Sequence, residues 1–342
     1  MPHTRTLLTI AIAAAGLALG APLHAQTVLT FSNWLPPTHP ISAGMIQPWA
    51  EDVAKASAGR IKVNILPKPL GSPVAHFDIV RDGQADAVYT VHGYTPGRFV
   101  LSKIAEFPFL GDRAEVTSVA YWRIYEKFLA KADEHKGIKV LSLITHGPGI
   151  IFNTKRPVQK IADFQGLKIR VGGGVVNDVT KALDVTALLK PAPESYELLA
   201  NGVADGVFFP GESVASFKLT GLIKYATIVP GGLYNTSFVL AMNEAKFNSL
   251  PKADQDAIIS VSGEAFARLA GKAWDKADGE GLETLKAAGG QIITAEPAFV
   301  AEIMKRTQPI EAAWYVEAKA KGVDGQVALA ALREEIKKLQ GK

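Results

Sequence analysis

The strongest constraint on the fold of this chain is a regular alternation of strand-like and helix-like segments. Short apolar runs such as VLTFSN (28–33) and ADAVYTV (85–91) are separated by amphipathic stretches with helical spacing. The runs LKIRV (167–171), TALLK (186–190) and ADGVFF (204–209) continue this rhythm in the second half of the chain. Alternation of this kind predicts an α/β fold with mainly parallel sheets.

Two segments resemble each other at a constant offset. DGQADAVY (82–89) and NGVADGVF (201–208) share a glycine, Ala-Asp, a valine and an aromatic residue, displaced by 201 − 82 = 119 positions. Chance is one explanation, because helix–glycine–strand turns are common, but the equivalent context favours two similar lobes. Ligands of open α/β sheets bind beyond the carboxyl ends of the strands, so two such lobes facing each other would form a cleft.

The remaining segments suggest how the lobes are connected. HGPGI (146–150) follows one predicted strand, and VPGGLYN (229–235) precedes another. Glycine and proline suit hinge crossings that absorb a closing motion, although two ordinary loops would have the same composition. The C-terminal third is predicted to be helical, with one long amphipathic helix over 252–289.

Composition narrows the cellular context. Arg5 precedes an apolar run from Leu7 to Ala21, which is about 15 residues long and shorter than the roughly 20 needed to span a bilayer. We therefore expect a signal peptide over 1–25, cleaved near Ala25, and a periplasmic protein; a retained N-terminal anchor is the alternative. The other 317 residues are more than a single hydrophobic core usually supports. They carry 36 basic and 33 acidic side chains, and the basic residues do not form a block. Nucleic acid is therefore excluded as a partner, and the absence of cysteine excludes disulfides and thiolate metal sites.

Motifs of catalysis and cofactor binding are incomplete. GGGVVN (172–177) lacks the third glycine of the dinucleotide fingerprint and is not followed by the Lys-Ser/Thr of a P-loop. GESVA around Ser213 lacks the last glycine of a nucleophile elbow. The spacing of the histidines in the exported chain does not match that of metal ligands. These histidines are His39, His76, His92, His135 and His146. We therefore predict no catalytic residue, metal or cofactor.

One arginine occupies an unusual position. In FQGLKIRVGGGVVND (164–178), Arg170 ends an apolar strand directly before three glycines. A phosphate site would need a second basic residue, and none lies in the next six positions. A planar guanidinium suits one carboxylate through two parallel hydrogen bonds, and a structural salt bridge is the remaining alternative.

Five segments of the chain resemble a known family when taken in order. They are LTFSNWLPPTHP (29–40), FPFLGD (107–112), DFQGLKIRV (163–171), YELLANGVADG (196–206) and MNEAKFNSLPKADQDAI (242–258). They are similar to the DctP-like solute-binding proteins of TRAP (tripartite ATP-independent periplasmic) transporters. The resemblance extends from about Val28 to the C-terminal helices.

The resemblance implies a two-lobed periplasmic binding protein fold with hinge strands and a long C-terminal helix across both lobes. In this chain, lobe I would comprise 27–146 plus about 236–270. Lobe II and the crossing helices would comprise 147–235 plus about 271–342. The implied function is capture of an organic acid anion for a membrane permease, and we expect a monomer. The alternatives are a sensor module and an exported α/β enzyme that would use Glu212 or His76 as a general base.

The resemblance also implies that Arg170 is the carboxylate ligand. Phe208 and Phe209 stand where many members have glutamate and asparagine, and Ile150 and Ile151 lie where sialic-acid-binding members carry another arginine. We therefore expect a monocarboxylate with a flat or ring-shaped body, either an aromatic or a sugar acid. Besides Arg170, the candidate ligand-binding residues are Trp34, His76, Phe77, His92, Tyr94, Phe209, Glu212 (for hydroxyl groups), Tyr234 and Asn235.

Overall fold

The computed structural model describes residues 26–341, which form two α/β lobes built around separate sheets. The strands are β1 (Thr27–Ser32), β2 (Ile61–Ile65), β3 (Ala87–Val91), β4 (Ile138–Thr145), β5 (Ile150–Asn153), β6 (Lys168–Val171), β7 (Thr186–Leu189), β8 (Gly206–Phe209), β9 (Tyr225–Ile228), β10 (Ser237–Asn243) and β11 (Gln291–Thr294). The α-helices are α1 (Gln47–Ala56), α2 (His76–Arg81), α3 (Ala114–Ile124), α4 (Val175–Ala182), α5 (Ser195–Ala200), α6 (Glu212–Ser216), α7 (Glu244–Ser249), α8 (Lys252–Ser260), α9 (Gly263–Ala287), α10 (Pro297–Ala320) and α11 (Gly325–Gln340). The predicted signal peptide lies outside the described residues.

The two sheets have the same arrangement of strands. Sheet I has the order β2-β1-β3-β10-β4, and sheet II has the order β7-β6-β8-β5-β9 with β11 added at the edge. The first three strands of each order are parallel, and the fourth is antiparallel to both of its neighbours. The α/β class is confirmed, and the sheets are mainly parallel as expected, since only β10 in sheet I and β5 in sheet II run against the other strands.

The antiparallel strands arise because the chain crosses between the lobes. It passes from β4 to β5 through HGPGI and returns from β9 to β10 through VPGGLYN. Since β4 pairs with β10 and β5 with β9, the two crossings run side by side in opposite directions. Backbone hydrogen bonds continue between them, including the N–H of Gly149 to the carbonyl of Tyr234 at 2.8 Å. The Gly/Pro segments therefore connect the lobes.

The repeated Ala-Asp has the same role in both lobes. The Asp86 carboxylate accepts the N–H of Thr30 in β1 at 2.7 Å, and the Asp205 carboxylate accepts the N–H of Lys168 in β6 at 3.0 Å. Asp86 also donates its backbone N–H to the carbonyl of Thr30, and Asp205 donates its backbone N–H to the carbonyl of Lys168. Because β3 and β8 occupy equivalent positions, the sequence repeat reflects two copies of one structural unit.

The predicted single helix over 252–289 is wrong, because α8 ends at Ser260 and α9 begins at Gly263. Ser262 is extended, and Gly263 has a φ of 56°, so the helical path is interrupted. Helix α9 then packs against α3 and β4 of the first lobe and against α6 of the second. It is the long C-terminal helix expected across both lobes. No helix within residues 26–341 has the length and apolar character required to cross a membrane.

Candidate functional site

A cavity lies between the two lobes, where β3, β6 and β8 end beside the crossings. Its empty space amounts to about 480 Å³, part of it continuous with solvent. The lining residues come from both lobes, both crossings and α9, so neither lobe forms the site alone. Six predicted site residues line it: Trp34, Tyr94, Arg170, Phe209, Glu212 and Tyr234.

Arg170 is held rigidly at the wall of this cavity. It is the third residue of β6 and lies between Leu188 of β7 and Val207 of β8. The side chain is only 2% exposed, and its Nε donates a hydrogen bond to the carbonyl of Lys190 at 2.8 Å. The guanidinium carbon lies 4.4 Å from the centre of the Phe209 ring, which is the geometry of a cation–π contact.

The buried guanidinium has no acidic partner. Within residues 26–341, Arg170 forms no salt bridge, so the structure does not support the alternative of a structural ion pair. Burial lowers its pKa, and Tyr94 and Tyr234 oppose that shift. An arginine remains charged under these conditions, and a buried charge without a partner is costly. The site is therefore suited to receive an anion.

Aromatic rings form most of the walls. Trp34 stacks on Tyr89 with 6.2 Å between ring centres and an interplanar angle of 9°. The Trp34 Nε1–H donates to the carbonyl of Tyr89 at 3.1 Å, which fixes the indole. On the opposite lobe, Phe209 stacks on Phe217 at 5.6 Å. A flat apolar body between these rings would gain from buried area and stacking.

A second polar region of the cavity surrounds Glu212, the first residue of α6. Its carboxylate accepts hydrogen bonds from the hydroxyls of Ser213 and Ser216, and its backbone N–H donates to Asp278 of α9 at 2.9 Å. Burial raises the pKa of Glu212 to about 7, and the two hydroxyls oppose this shift. The Nε2 of His39, from the first lobe, lies 3.7 Å from the Glu212 Oε2.

The glycines after Arg170 form the contact between the lobes. Gly173 has a φ of 94°, and a Cβ added there would lie 2.4 Å from the carbonyl oxygen of Gly93 in the first lobe. Glu106 of the first lobe accepts the N–H of Val175, at the start of α4, at 2.8 Å. A protein carboxylate thus occupies the helix N-terminus that a phosphate would need. The glycines allow the two backbones to approach and do not form a nucleotide loop.

Comparison with known proteins identifies the family. A family model described as bacterial extracellular solute-binding protein, family 7 (DctP), matches residues 31–317. The chain belongs to this family. The recognition made from sequence motifs is confirmed, and this DctP protein is a solute-binding protein of the TRAP type.

Similar proteins have been characterised structurally. A TRAP periplasmic solute-binding protein from Bordetella bronchiseptica, solved with bound (R)- and (S)-mandelate, is 50% identical over 92% of this chain and 99% of its own, with a TM-score of 0.89. One from Rhodoferax ferrireducens, in complex with copurified benzoate, is 30% identical over 92% and 98% of the chains, with a TM-score of 0.86. Among curated proteins, the outer membrane transporter protein TsaT of Comamonas testosteroni is 33% identical over 96% of this chain and 97% of its own. The family consists of solute-binding transport proteins, so the alternative of an enzyme is not favoured.

Four predicted site residues of this DctP protein lie elsewhere in the first lobe or beside a crossing. His76 bonds to Ser32 and Ser72, Phe77 packs on Phe99, and His92 bonds to His135 and Ser237. Asn235 is buried and donates its backbone N–H to the carbonyl of Glu106. None of the four is among the residues that line the cavity, and we propose no direct ligand contact for them.

Sequence reasoning missed several residues that line the cavity. Tyr89 carries a weak signal, because it is an aromatic residue of the repeated segment near the end of β3. The others are brought in by the fold and had no recognisable motif; they include His39, His146, Phe217, Phe238 and Trp274. In residues 26–341, no cluster of three or more acidic or histidine side chains is arranged to hold a metal ion.

Proposed function

We propose that this protein captures an aromatic monocarboxylate between its two lobes and delivers it to the permease subunits of a TRAP transporter. The observation that carries the proposal is Arg170, a buried guanidinium without an acidic partner in a cavity walled by aromatic rings. Two parallel hydrogen bonds from its terminal nitrogens would hold one carboxylate. The rings of Trp34 and Phe209 would cover the flat body of the ligand.

The charge of the cavity favours a single carboxylate. Among the described residues that line it, Arg170 is the only arginine or lysine. A second carboxylate would be buried near Glu212 without a cation, at a desolvation cost of several kcal/mol. The mandelate and benzoate found in the similar proteins are aromatic monocarboxylates, which supports the same ligand class here.

The proposal also places the protein outside the cytoplasm. The N-terminal sequence has the pattern of a signal peptide cleaved near Ala25, and the family is extracytoplasmic. Genes for a small and a large membrane subunit beside this one would support transport over sensing. Loss of uptake of a radiolabelled aromatic acid on deletion of this gene would test delivery directly.

Binding measurements test the ligand class. By isothermal titration calorimetry, benzoate, phenylacetate and mandelate are expected to bind more tightly than D-glucuronate or succinate. Removing one partner of a buried charge pair typically costs about 2–5 kcal/mol, so Arg170→Ala should weaken binding tens-fold to thousands-fold. Arg170→Lys should also lose much affinity, because a point charge does not reproduce the planar fork.

The control is Arg333→Ala, which removes a half-exposed arginine of α11 that pairs with Glu311. It should bind as the wild type does. Tight aromatic binding by Arg170→Ala would contradict the assigned site. A preference for succinate or glucuronate over every aromatic acid would contradict the ligand class.

A further inference from the structure

Several polar side chains of the cavity are not used by the proposed carboxylate site, and three of them lie around one region. They are His39, Tyr89 and Glu212, and all three are buried. Two of them carry polar atoms without a hydrogen-bond partner, which is rare for buried groups and indicates a missing partner.

The protonation of His39 follows from its contacts. Its Nδ1 accepts the backbone N–H of Ile41 at 3.2 Å, and burial lowers the pKa of the ring to about 4, so the ring is neutral. The proton is therefore on Nε2, which makes this atom a donor. Nε2 has no partner, and its distance of 3.7 Å from Glu212 is too long for a hydrogen bond.

Tyr89 offers a second unused donor. Its ring is stacked between Trp34 at 6.2 Å and Phe238 at 5.1 Å, so it cannot turn toward solvent. Its hydroxyl is buried without a partner. Burial raises the pKa of Tyr89 well above its ordinary value, and the charge of Glu212 raises it further, so the hydroxyl keeps its proton and remains a donor.

The Glu212 carboxylate is the matching acceptor. The hydroxyls of Ser213 and Ser216 each occupy one lone pair of its oxygens and hold its orientation. Each carboxylate oxygen can accept a further hydrogen bond. The cavity therefore presents fixed donors and a fixed acceptor in addition to Arg170.

We propose that His39, Tyr89 and Glu212 form a subsite for a hydroxyl group, so that this protein selects a hydroxylated aromatic monocarboxylate. The inference rests on the proposed function, in which Arg170 holds the carboxylate. A hydroxyl oxygen accepts from the His39 or Tyr89 donor while its proton is donated to Glu212. An unsubstituted ring would leave these polar groups unpaired, and sites built for a hydroxyl discriminate strongly against analogues that lack it.

Matched pairs of acids test the subsite. The dissociation constants of phenylacetate, its three ring-hydroxylated isomers and mandelate are measured by calorimetry for each protein variant. In the wild type, at least one hydroxylated acid should bind roughly ten-fold or more tightly than phenylacetate. Glu212→Gln and Tyr89→Phe should each reduce this ratio several-fold. Because both acids are measured on the same variant, a general loss of affinity cancels in the ratio.

Conservative substitutions on the surface are the controls. Glu280→Gln and Tyr196→Phe make the same chemical changes at exposed positions and should keep the wild-type ratio. Equal binding of phenylacetate and all hydroxylated acids would overturn the subsite while leaving the proposed function intact. The subsite would also be overturned if the preference for hydroxylated acids were unchanged in both Glu212→Gln and Tyr89→Phe. Failure of the wild type to bind any aromatic acid would instead refute the proposed function.

Discussion

Arg170 keeps its charge in a position where the protein supplies almost no compensating charge. Its Nε is satisfied by the Lys190 carbonyl, its face is covered by Phe209, and its side chain lines the cavity. A buried unpaired charge costs several kcal/mol, so the ligand-free closed form is unfavourable. We infer that a ligand carboxylate stabilises the closed form by providing the missing anion.

Glu212 gives a prediction about pH at the residue scale. Its folded pKa of about 7 lies above the ordinary value of 4.5, so its neutral form stabilises the folded state below pH 4.5. That contribution is lost as the pH rises through 7. Glu212→Gln remains neutral at every pH. With both proteins held closed by saturating benzoate, its stability relative to the wild type should therefore rise between pH 5 and 8, by up to about 3 kcal/mol.

Thermal melting of both proteins at pH 5, 6, 7 and 8 measures this difference. Glu280→Gln, which changes an exposed carboxylate of α9, should follow the wild type throughout. A difference in melting temperature between Glu212→Gln and wild type that stays constant with pH would show that Glu212 does not titrate in this range.

At the scale of the element, the turn from β6 to α4 combines ligand binding with contact between the lobes. The strand carries Arg170, and the following glycines bring its end against Gly93 and Glu106 of the other lobe. The Glu106 carboxylate also accepts the N–H of Ser237 at the return crossing. Contact between the lobes at this turn therefore completes the cavity beside the arginine, which the second lobe already holds in place.

Gly93→Ala tests this contact. Its φ is not in the left-handed region, so alanine is tolerated locally, but the new Cβ would lie 2.8 Å from the carbonyl oxygen of Gly173. The clash arises only when the lobes meet. Affinity for the aromatic acid should fall at least ten-fold, while the melting temperature of the ligand-free protein should change little.

Gly221→Ala is the matched control, because a Cβ there meets no atom within 4 Å. It should bind as the wild type does. Wild-type affinity in Gly93→Ala would mean that close backbone contact between the lobes is not needed for binding.

At the scale of the whole molecule, the lobes are two copies of one topology that exchange a strand. β10 returns to sheet I from the second lobe, and β5 enters sheet II from the first. The two crossings, α9 and α10 connect the lobes within the described residues, since α10 packs against α4 of the second lobe and its Trp314 Nε1–H donates to the Val100 carbonyl of the first. Two aspartates of α9 form hydrogen bonds to the two lobes. Asp275 accepts the N–H of Glu115 in the first lobe, and Asp278 accepts the N–H of Glu212 in the second. Bending is therefore expected at these connections and not within the sheets.

Small-angle X-ray scattering should report this motion. A saturating aromatic acid is expected to reduce the radius of gyration of the wild type as the lobes close. The same acid should leave Arg170→Ala unchanged, because the ligand is not held. Identical radii for the wild type with and without ligand would argue against closure.

Sequence alone was sufficient for the α/β class, the positions of most strands and the existence of two similar lobes. These features depend on local periodicity and on the repeated Ala-Asp, whose hydrogen bonds to a nearby strand recur in both lobes. Arg170 was recognisable because a charge at the end of an apolar strand is unusual. The strands β5, β9 and β11 were not predicted, although β6, β7 and β8 are equally short, because their pairing with one another depends on the crossings and on the return of the chain after α9.

Only the tertiary structure decided which side chains share the cavity. His76 and His92 lie at element ends that sequence places near the cleft, yet the packing of the first lobe turns them inward. His39, Tyr89 and Glu212 line the same cavity although they are far apart in the chain. The physical reason is that periodicity determines the face of one element, whereas a site depends on the packing of several elements. The role of the three glycines after Arg170 likewise depends on the tertiary structure, because Gly93 of the other lobe packs closely against them.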